Sequence, residues 1–97
     1  MDIDVEKLKY LLYRMDGYIE QLVDNVLTDS KTDPHYSAVA ANNCIKCYIE
    51  IMTELGEKMP YHNVEEYFAF NAYTKDEYNA FEISRQKESA YYRDVQY

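Results

Sequence analysis

Apolar residues recur at steps of three and four along most of this chain, and the pattern is clearest over residues 34–55. That spacing is the period of an α-helix with one buried face. The main apolar stripe consists of Ala38, Ala41, Ile45, Tyr48, Met52 and Leu55. Asp33 and Pro34 precede the stripe and Gly56 follows it, an order typical of the two ends of a helix. A second apolar line beside the stripe predicts that this central helix contacts more than one neighbour.

A second helical pattern lies N-terminal to the central helix. Nine apolar residues at helical spacing predict a helix over residues 4–27, with Asp2 or Asp4 as its N-cap. Gly17 lies inside this helix, either at a close helix crossing or as a tolerated imperfection that costs about 1 kcal/mol relative to alanine. The connection over residues 28–32 is short and polar, which makes the first two helices antiparallel neighbours.

Two capping patterns divide the C-terminal part of the chain. Asn63 and Thr74 are each followed three residues later by a glutamate, which is the pattern of a capping box at a helix start. They predict a short helix over residues 64–72 and a last helix over residues 75–94. The last helix contains the wholly polar stretch SRQKES, so we expect its second half to face solvent or a partner.

These elements predict an all-α fold, a small single-domain bundle over residues 1–97 with three long helices and one short helix. Two glycines and two prolines are too few for the turns of an all-β protein of this length. No apolar run approaches the roughly 20 residues that cross a bilayer, and the N-terminal stretch MDIDVEKLKY is acidic, unlike a secretory signal. We therefore expect a soluble cytoplasmic protein.

The chain is strongly acidic, with a formal net charge of −8 and a pI near 4.6. Eight acids against four bases lie in residues 1–33 and seven against four in residues 60–97, whereas residues 34–59 are nearly neutral. Such a surface repels nucleic acid and anionic membranes and attracts basic protein surfaces. The alternative interpretation is that the net charge only maintains solubility.

Few groups in the sequence are candidates for catalysis or metal binding. Cys44 and Cys47 form a CxxC pattern inside the predicted central helix, and His35 and His62 are the histidines that could join them around a metal. Because this spacing matches no zinc module and no strand precedes the cysteines, we interpret both as core thiols rather than as a metal or redox site. Neither histidine has a nucleophile nearby in the sequence, and two glycines cannot form a phosphate-binding loop. The sequence predicts no enzyme and no cofactor.

Twelve tyrosines among 97 residues are the most unusual feature of the composition. Each buried hydroxyl needs a partner, so this number favours contacts of some tyrosines with another protein, while others could fill the rim of a small core. Acidic residues alternate with tyrosine in the C-terminal third, a combination that suits an arginine-rich surface. The predicted partner-binding residues are Glu65, Glu66, Tyr67, Asp76, Glu77 and Tyr78, with a second acidic line of Asp16, Glu20 and Asp24.

These features favour a small non-catalytic binding protein, of the type that phages encode to inhibit host nucleases and defence complexes. It would occupy the basic nucleic-acid-binding surface of a protein in the host cytoplasm, and it would itself bind neither nucleic acid nor membrane. One alternative is a structural or adaptor subunit that assembles as a homodimeric helical bundle. Another is a helical transcriptional regulator, which fits less well because none of the predicted helices is basic.

Overall fold

The computed structural model describes residues 4–28 and 33–87. Helices account for most of these residues and no strand occurs among them, so the fold is all-α. The helices are α1 (Val5–Leu27), α2 (Pro34–Glu54), α3 (Val64–Phe70) and α4 (Lys75–Gln86). They have 23, 21, 7 and 12 residues respectively. No helix in this part of the chain is long and apolar enough to cross a membrane.

The two long helices begin at aspartates that the sequence indicates as caps. The Asp4 carboxylate accepts a hydrogen bond from the amide of Lys7 at the start of α1. The Asp33 carboxylate accepts one from the amide of His35, and Pro34 occupies the first position of α2. The first amides of a helix have no partner within the helix, so these carboxylates supply an acceptor that the backbone lacks.

The capping patterns of α3 and α4 are also confirmed. At α4 the Thr74 hydroxyl accepts from the amide of Glu77 at 3.1 Å, and the Glu77 carboxylate accepts from the amide of Thr74 at 2.8 Å. At α3 the Asn63 side chain accepts from the amide of Glu66 at 2.8 Å, while the Glu66 carboxylate accepts from the amide of His62 at 3.0 Å. The capping box is therefore complete at α4, whereas at α3 the Glu66 carboxylate bonds the amide that precedes the N-cap, and both arrangements stabilise the short helices locally.

α2 and α3 end with the same turn but with different residues in its left-handed position. Gly56 has φ +81° after α2, and Ala72 has φ +64° after α3. The amide that follows each of these residues donates a hydrogen bond back across the turn. The acceptor is the Met52 carbonyl after Gly56 and the Phe68 carbonyl after Ala72, and both bonds measure 3.0 Å. This bond closes a Schellman motif, in which glycine is the favoured residue. Alanine at the second turn is therefore conformationally strained.

We expect Ala72→Gly to raise the free energy of unfolding by about 1 kcal/mol, because glycine adopts the left-handed conformation without steric cost. The matched substitution Gly56→Ala should lower it by a similar amount. Urea unfolding followed by far-ultraviolet circular dichroism measures both. A loss of stability in Ala72→Gly would show instead that the methyl group makes contacts that outweigh the strain.

The helices pack as neighbours that run in opposite directions. Lys9, near the start of α1, forms an ion pair with Glu57, just beyond the end of α2, so these two helices are antiparallel. His35 Nδ1, at the start of α2, lies 3.1 Å from the Ser84 carbonyl oxygen near the end of α4. α4 therefore runs antiparallel to α2 as well, and α3 packs against α2 and α4.

A cluster of buried side chains joins all four helices. Its aromatic centre is Phe68, which is 1% exposed and whose ring centroid lies 4.7 Å from that of Phe81. The cluster consists of Ile19, Val23, Ala38, Ala41, Ile45, Tyr61, Val64, Tyr67, Phe68 and Phe81. α3 supplies three of these residues although it is the shortest helix, so this short element depends on the core for its stability.

α4 ends earlier than the pattern over residues 75–94 predicts. The helix stops at Gln86, and Lys87 is already extended, with φ −76° and ψ 149°. Ile83 is the last apolar residue of the helix and it is exposed, so the polar stretch after it has no apolar face to bury against the bundle. Residues 88–94 of the predicted helix lie outside the described residues.

Gly17 does not mark a close helix crossing. It lies on the exposed side of α1, and no atom outside its own backbone surroundings lies within 4 Å of where a Cβ would be. The glycine is therefore a tolerated imperfection within α1 rather than a packing requirement.

Candidate interaction surface

Acidic residues of α1 and α4 act electrostatically on Tyr73, which lies in the turn between α3 and α4. Glu20 and Asp24 lie one turn apart on α1 and are both exposed, and Glu77 lies in the first turn of α4. Burial raises the pKa of the Tyr73 hydroxyl, and the negative charges of Asp24, Glu20 and Glu77 raise it further. Three carboxylates from two helices thus act on one phenol. We call Glu20, Asp24 and Glu77 the acidic edge.

Asp16 begins the same line on α1 but lies close to the tyrosines of the core. It is half-buried, and its negative charge contributes to the raised pKa values of the Tyr48, Tyr61 and Tyr67 hydroxyls, for which burial is the larger cause. Desolvation raises the pKa of the Asp16 carboxyl itself, and the neighbouring charge of Glu20 adds to this. Asp16 therefore belongs to the boundary of the core rather than to the open acidic edge.

We expect Asp16→Asn to stabilise the protein slightly at neutral pH. Because folding raises the pKa of this carboxyl, the folded state binds more protons than the unfolded state, and stability falls as the pH rises above the ordinary aspartate value of about 3.9. Asparagine removes this loss, and the gain should stay below about 1 kcal/mol because the group is partly solvated. Urea unfolding from about pH 3 to pH 7 measures it. Equal pH profiles for both proteins would contradict the prediction.

Glu65 and Tyr78 lie where α3 meets α4 and are not part of the acidic edge. The Tyr78 ring packs against Phe68, with centroids 5.3 Å apart. Burial raises the pKa of the Tyr78 hydroxyl, and the negative charges of Glu82 and Glu65 add to the shift. Arg85 partly offsets them and forms an ion pair with Glu82 at 2.7 Å. The predicted acidic residues therefore divide between two places.

Glu66 and Asp76 remain on the surface near the starts of their helices. Glu66 is exposed, but its carboxylate is held by the amide of His62 and by the side chain of Asn63. Asp76 is exposed in the first turn of α4, beside Glu77. Both keep their negative charge available to a partner, and Asp76 adjoins the acidic edge.

The prediction that Tyr67 contacts a partner requires correction. Tyr67 is 2% exposed, and its ring packs against those of Tyr61 and Phe68, at centroid distances of 5.2 and 5.8 Å. The physical reason is the helical period, because Val64, Tyr67 and Phe68 share one face of α3 and that face covers the core. Tyr67 is a core residue in this fold.

The exposed tyrosines are concentrated on α1, where the sequence analysis placed an acidic line but no contacting tyrosine. Tyr13 is 75% exposed, and Tyr10 and Tyr18 are 60% and 58% exposed. The large apolar side chains that remain exposed in the described residues are Val5, Tyr10, Leu11, Tyr13, Tyr18, Tyr36, Phe70 and Ile83. Their exposure could have been inferred from their positions in the sequence, because none of these three tyrosines belongs to the apolar stripe of the first helix.

The cysteines differ in their surroundings, and the interpretation of both as core thiols holds only in part. Cys44 is half-buried and packs against the core, and burial raises the pKa of its thiol. Cys47 is exposed, because it lies two positions beyond the buried Ile45 on the other side of α2. Within residues 4–28 and 33–87, no group of three or more histidine, cysteine and acidic residues could hold a metal ion.

The structure thus brings together two parts of the predicted set, the acidic line of the first helix and the start of the last helix. It places Glu65 and Tyr78 where α3 meets α4, beside Tyr73, and it buries Tyr67. Comparisons of this chain with protein-family models, with curated proteins and with solved structures find no match.

Proposed function

We infer that this protein is a small non-catalytic binding protein whose acidic edge occupies the basic nucleic-acid-binding surface of another protein. The supporting observation is that the negative charges of Glu20, Asp24 and Glu77, which lie on two helices, all raise the pKa of the Tyr73 hydroxyl. A phenol among carboxylates suits arginine, which pairs with carboxylates and stacks on aromatic rings. An inhibitor of the type that phages direct against host nucleases and defence complexes would need a surface of this kind.

The acidic edge lies on ordered secondary structure, which favours tight binding. Glu20 and Asp24 lie in the body of α1, and the Glu77 carboxylate is held 2.8 Å from the amide of Thr74. A backbone that is already ordered, and a carboxylate that is already held as in Glu77, lose less conformational entropy when a partner binds. The binding energy would then be mainly electrostatic, so binding should weaken as the salt concentration rises.

The first experiment is capture with the tagged protein from a nuclease-treated bacterial lysate, eluted in steps of rising salt and identified by mass spectrometry. The identified protein is then purified, and its binding to labelled nucleic acid is measured with and without this protein. We expect displacement of the nucleic acid at low salt and loss of displacement at high salt.

Two outcomes would contradict the proposal. A captured protein that binds nucleic acid equally well in the presence of this chain would exclude competition for the basic surface. Direct binding of this chain to duplex DNA at moderate salt would favour the transcriptional regulator instead, because an acidic competitor should be repelled by DNA.

Self-association is a second candidate function, favoured by the uncovered side chains of α1. Tyr10, Leu11, Tyr13 and Tyr18 are each about half exposed or more. Aromatic residues of this kind are enriched in protein interfaces, and a second copy could cover them in an isologous dimer. This interface would lie on α1.

We expect Tyr13→Lys to abolish such a dimer, because a charge at the most exposed tyrosine would be buried at the interface. Tyr36→Lys is the matched control, since Tyr36 is 62% exposed but lies on α2. Sedimentation equilibrium over a range of concentrations measures the mass, which is 11.6 kDa for the monomer. A monomeric mass for the unmodified protein at every concentration would exclude self-association.

A further inference from the structure

A groove between α3 and α4 is lined by three aromatic side chains and by two side chains of opposite charge. Its volume is about 250 Å³. The lining residues are Glu65, Phe68, Ala69, Tyr73, Thr74, Lys75 and Tyr78. Pockets for whole cofactors or drug-sized ligands usually measure about 300–1,000 Å³, so this groove suits a single large side chain.

The aromatic rings of the groove are arranged around Phe68. The Tyr73 ring lies 5.0 Å from the Phe68 ring, and the Tyr78 ring lies 5.3 Å from it, with interplanar angles of 48° and 63°. Phe68 is 1% exposed, whereas both tyrosines are half-buried. Phe68 therefore forms the base of the groove and the two tyrosines form its accessible walls. Faces of aromatic rings carry partial negative charge and attract cations.

The charges around the groove are mostly negative. Glu65 lies in its lining, and the charge of this carboxylate contributes to the raised pKa of the Tyr78 hydroxyl. On the other wall, the negative charges of the acidic edge contribute to the raised pKa of the Tyr73 hydroxyl. Lys75 is the opposing cation of the lining, and it is exposed at the start of α4. The groove thus combines aromatic walls with an excess of nearby carboxylates.

We propose that the groove between α3 and α4 binds one arginine side chain of the basic partner, stacked between Tyr73 and Tyr78 and paired with the Glu65 carboxylate. This inference rests on the proposed function and names the chemical group of the partner that the protein holds. It also explains why Tyr73 adjoins both the groove and the acidic edge, since further basic residues of the partner would meet Glu20, Asp24 and Glu77.

Arginine fits the groove better than lysine does. A guanidinium is planar, stacks on aromatic rings and donates two parallel hydrogen bonds to one carboxylate, whereas an ammonium is compact and strongly hydrated. The groove offers two tyrosine walls and one lining carboxylate. These are the contacts that a planar bidentate cation can make together.

The experiment titrates the full chain with N-acetyl-arginine amide and follows the aromatic proton signals of Phe68, Tyr73 and Tyr78 by nuclear magnetic resonance. N-acetyl-citrulline amide is the control ligand, because it has nearly the same shape without the charge. N-acetyl-lysine amide tests the choice between the two cations. We expect saturable shifts with the arginine amide at a dissociation constant on the order of 10 mM, as suits a single side chain, and at least about threefold weaker binding of the other two.

Three substitutions test the named contacts. Glu65→Gln should weaken binding of the arginine amide by about threefold to tenfold, and Tyr73→Leu should weaken it by about tenfold. Lys75→Gln should strengthen it by about threefold, because it removes the opposing cation from an exposed position and leaves the fold intact. Glu54→Gln and Tyr36→Leu are matched controls at exposed positions on α2, and they should leave binding unchanged.

The proposal is overturned if the citrulline amide binds as well as the arginine amide, because the groove would then be an apolar or hydrogen-bonding site. Equal or tighter binding of the lysine amide overturns the assignment to arginine. If Lys75→Gln binds the arginine amide more weakly than the unmodified protein does, Lys75 is not a cation that opposes binding in the groove. This test remains valid even if Tyr73→Leu is unstable. The titration uses no partner protein, so its failure is distinct from a failure of the competition with nucleic acid.

Discussion

Phe68→Ala is expected to lower the free energy of unfolding by about 3–5 kcal/mol, the range for removing a fully buried phenylalanine ring. Phe68 is 1% exposed, and its ring contacts those of Tyr67, Tyr73, Tyr78 and Phe81. A small domain has only about 5–15 kcal/mol of stability in total. The substitution should therefore leave a marginal fold, which urea unfolding followed by circular dichroism would show as an early transition.

Phe70→Ala is the matched control, because Phe70 lies two residues away on α3 and is 59% exposed. We expect it to cost about 1 kcal/mol, from the contact with the Tyr61 ring at 5.5 Å. If Phe68→Ala does not fold, Phe68→Leu should still fold and cost about 1–2 kcal/mol. Equal costs for Phe68→Ala and Phe70→Ala would contradict the position of α3 against the core.

The helix starts could be predicted because their causes are local. Asp4, Asp33, Asn63 and Thr74 each accept a hydrogen bond from an amide two or three residues away. Such bonds depend on a few neighbouring residues of the chain, so the sequence contains all the information needed to place them. The end of α2 could be predicted for the same reason, because the left-handed backbone at Gly56 ends the helix.

The roles of the tyrosines could not be predicted, because they depend on which helix faces meet. Tyr67 and Tyr78 follow adjacent pairs of acids in the same way, yet Tyr67 is buried and Tyr78 lines a groove. Tyr13 shows the reverse case, since no acid adjoins it in the sequence and it is the most exposed of the large apolar residues described. Residue type indicates that a tyrosine can serve an interface, but only packing decides which one does.

The candidate site could be predicted only in part, because some of its geometry is local to one helix and the rest depends on how the helices pack. The spacing of Glu20 and Asp24 places both carboxylates on one face of α1, which the helical period alone determines. Their approach to Glu77 depends on how α4 docks against α1, and no local pattern contains that information. The groove beside Tyr73 arises from the turn at Ala72, whose left-handed alanine the sequence does not reveal.

The double reversal Glu20→Lys with Asp24→Lys is expected to weaken partner binding by about 10- to 100-fold at low salt, because attraction to a basic surface becomes repulsion. The difference should shrink as salt rises, since exposed charges are screened beyond about 10 Å at 0.1 M ionic strength. α1 should remain folded, because lysines in the C-terminal half of a helix interact favourably with its dipole. Binding to the purified partner, measured by isothermal titration calorimetry at several salt concentrations, tests both statements.

The control for this reversal is Glu50→Lys with Glu54→Lys, which changes the net charge by the same amount at two exposed positions on α2. If long-range charge alone drives binding, both double variants should weaken it equally. If the acidic edge is the contact, the α2 variant should lose less than about threefold, because its charges do not adjoin Tyr73. Equal losses of affinity would therefore show that the acidic edge binds no more strongly than the rest of the acidic surface. No loss of affinity in either variant would show that the contact lies elsewhere.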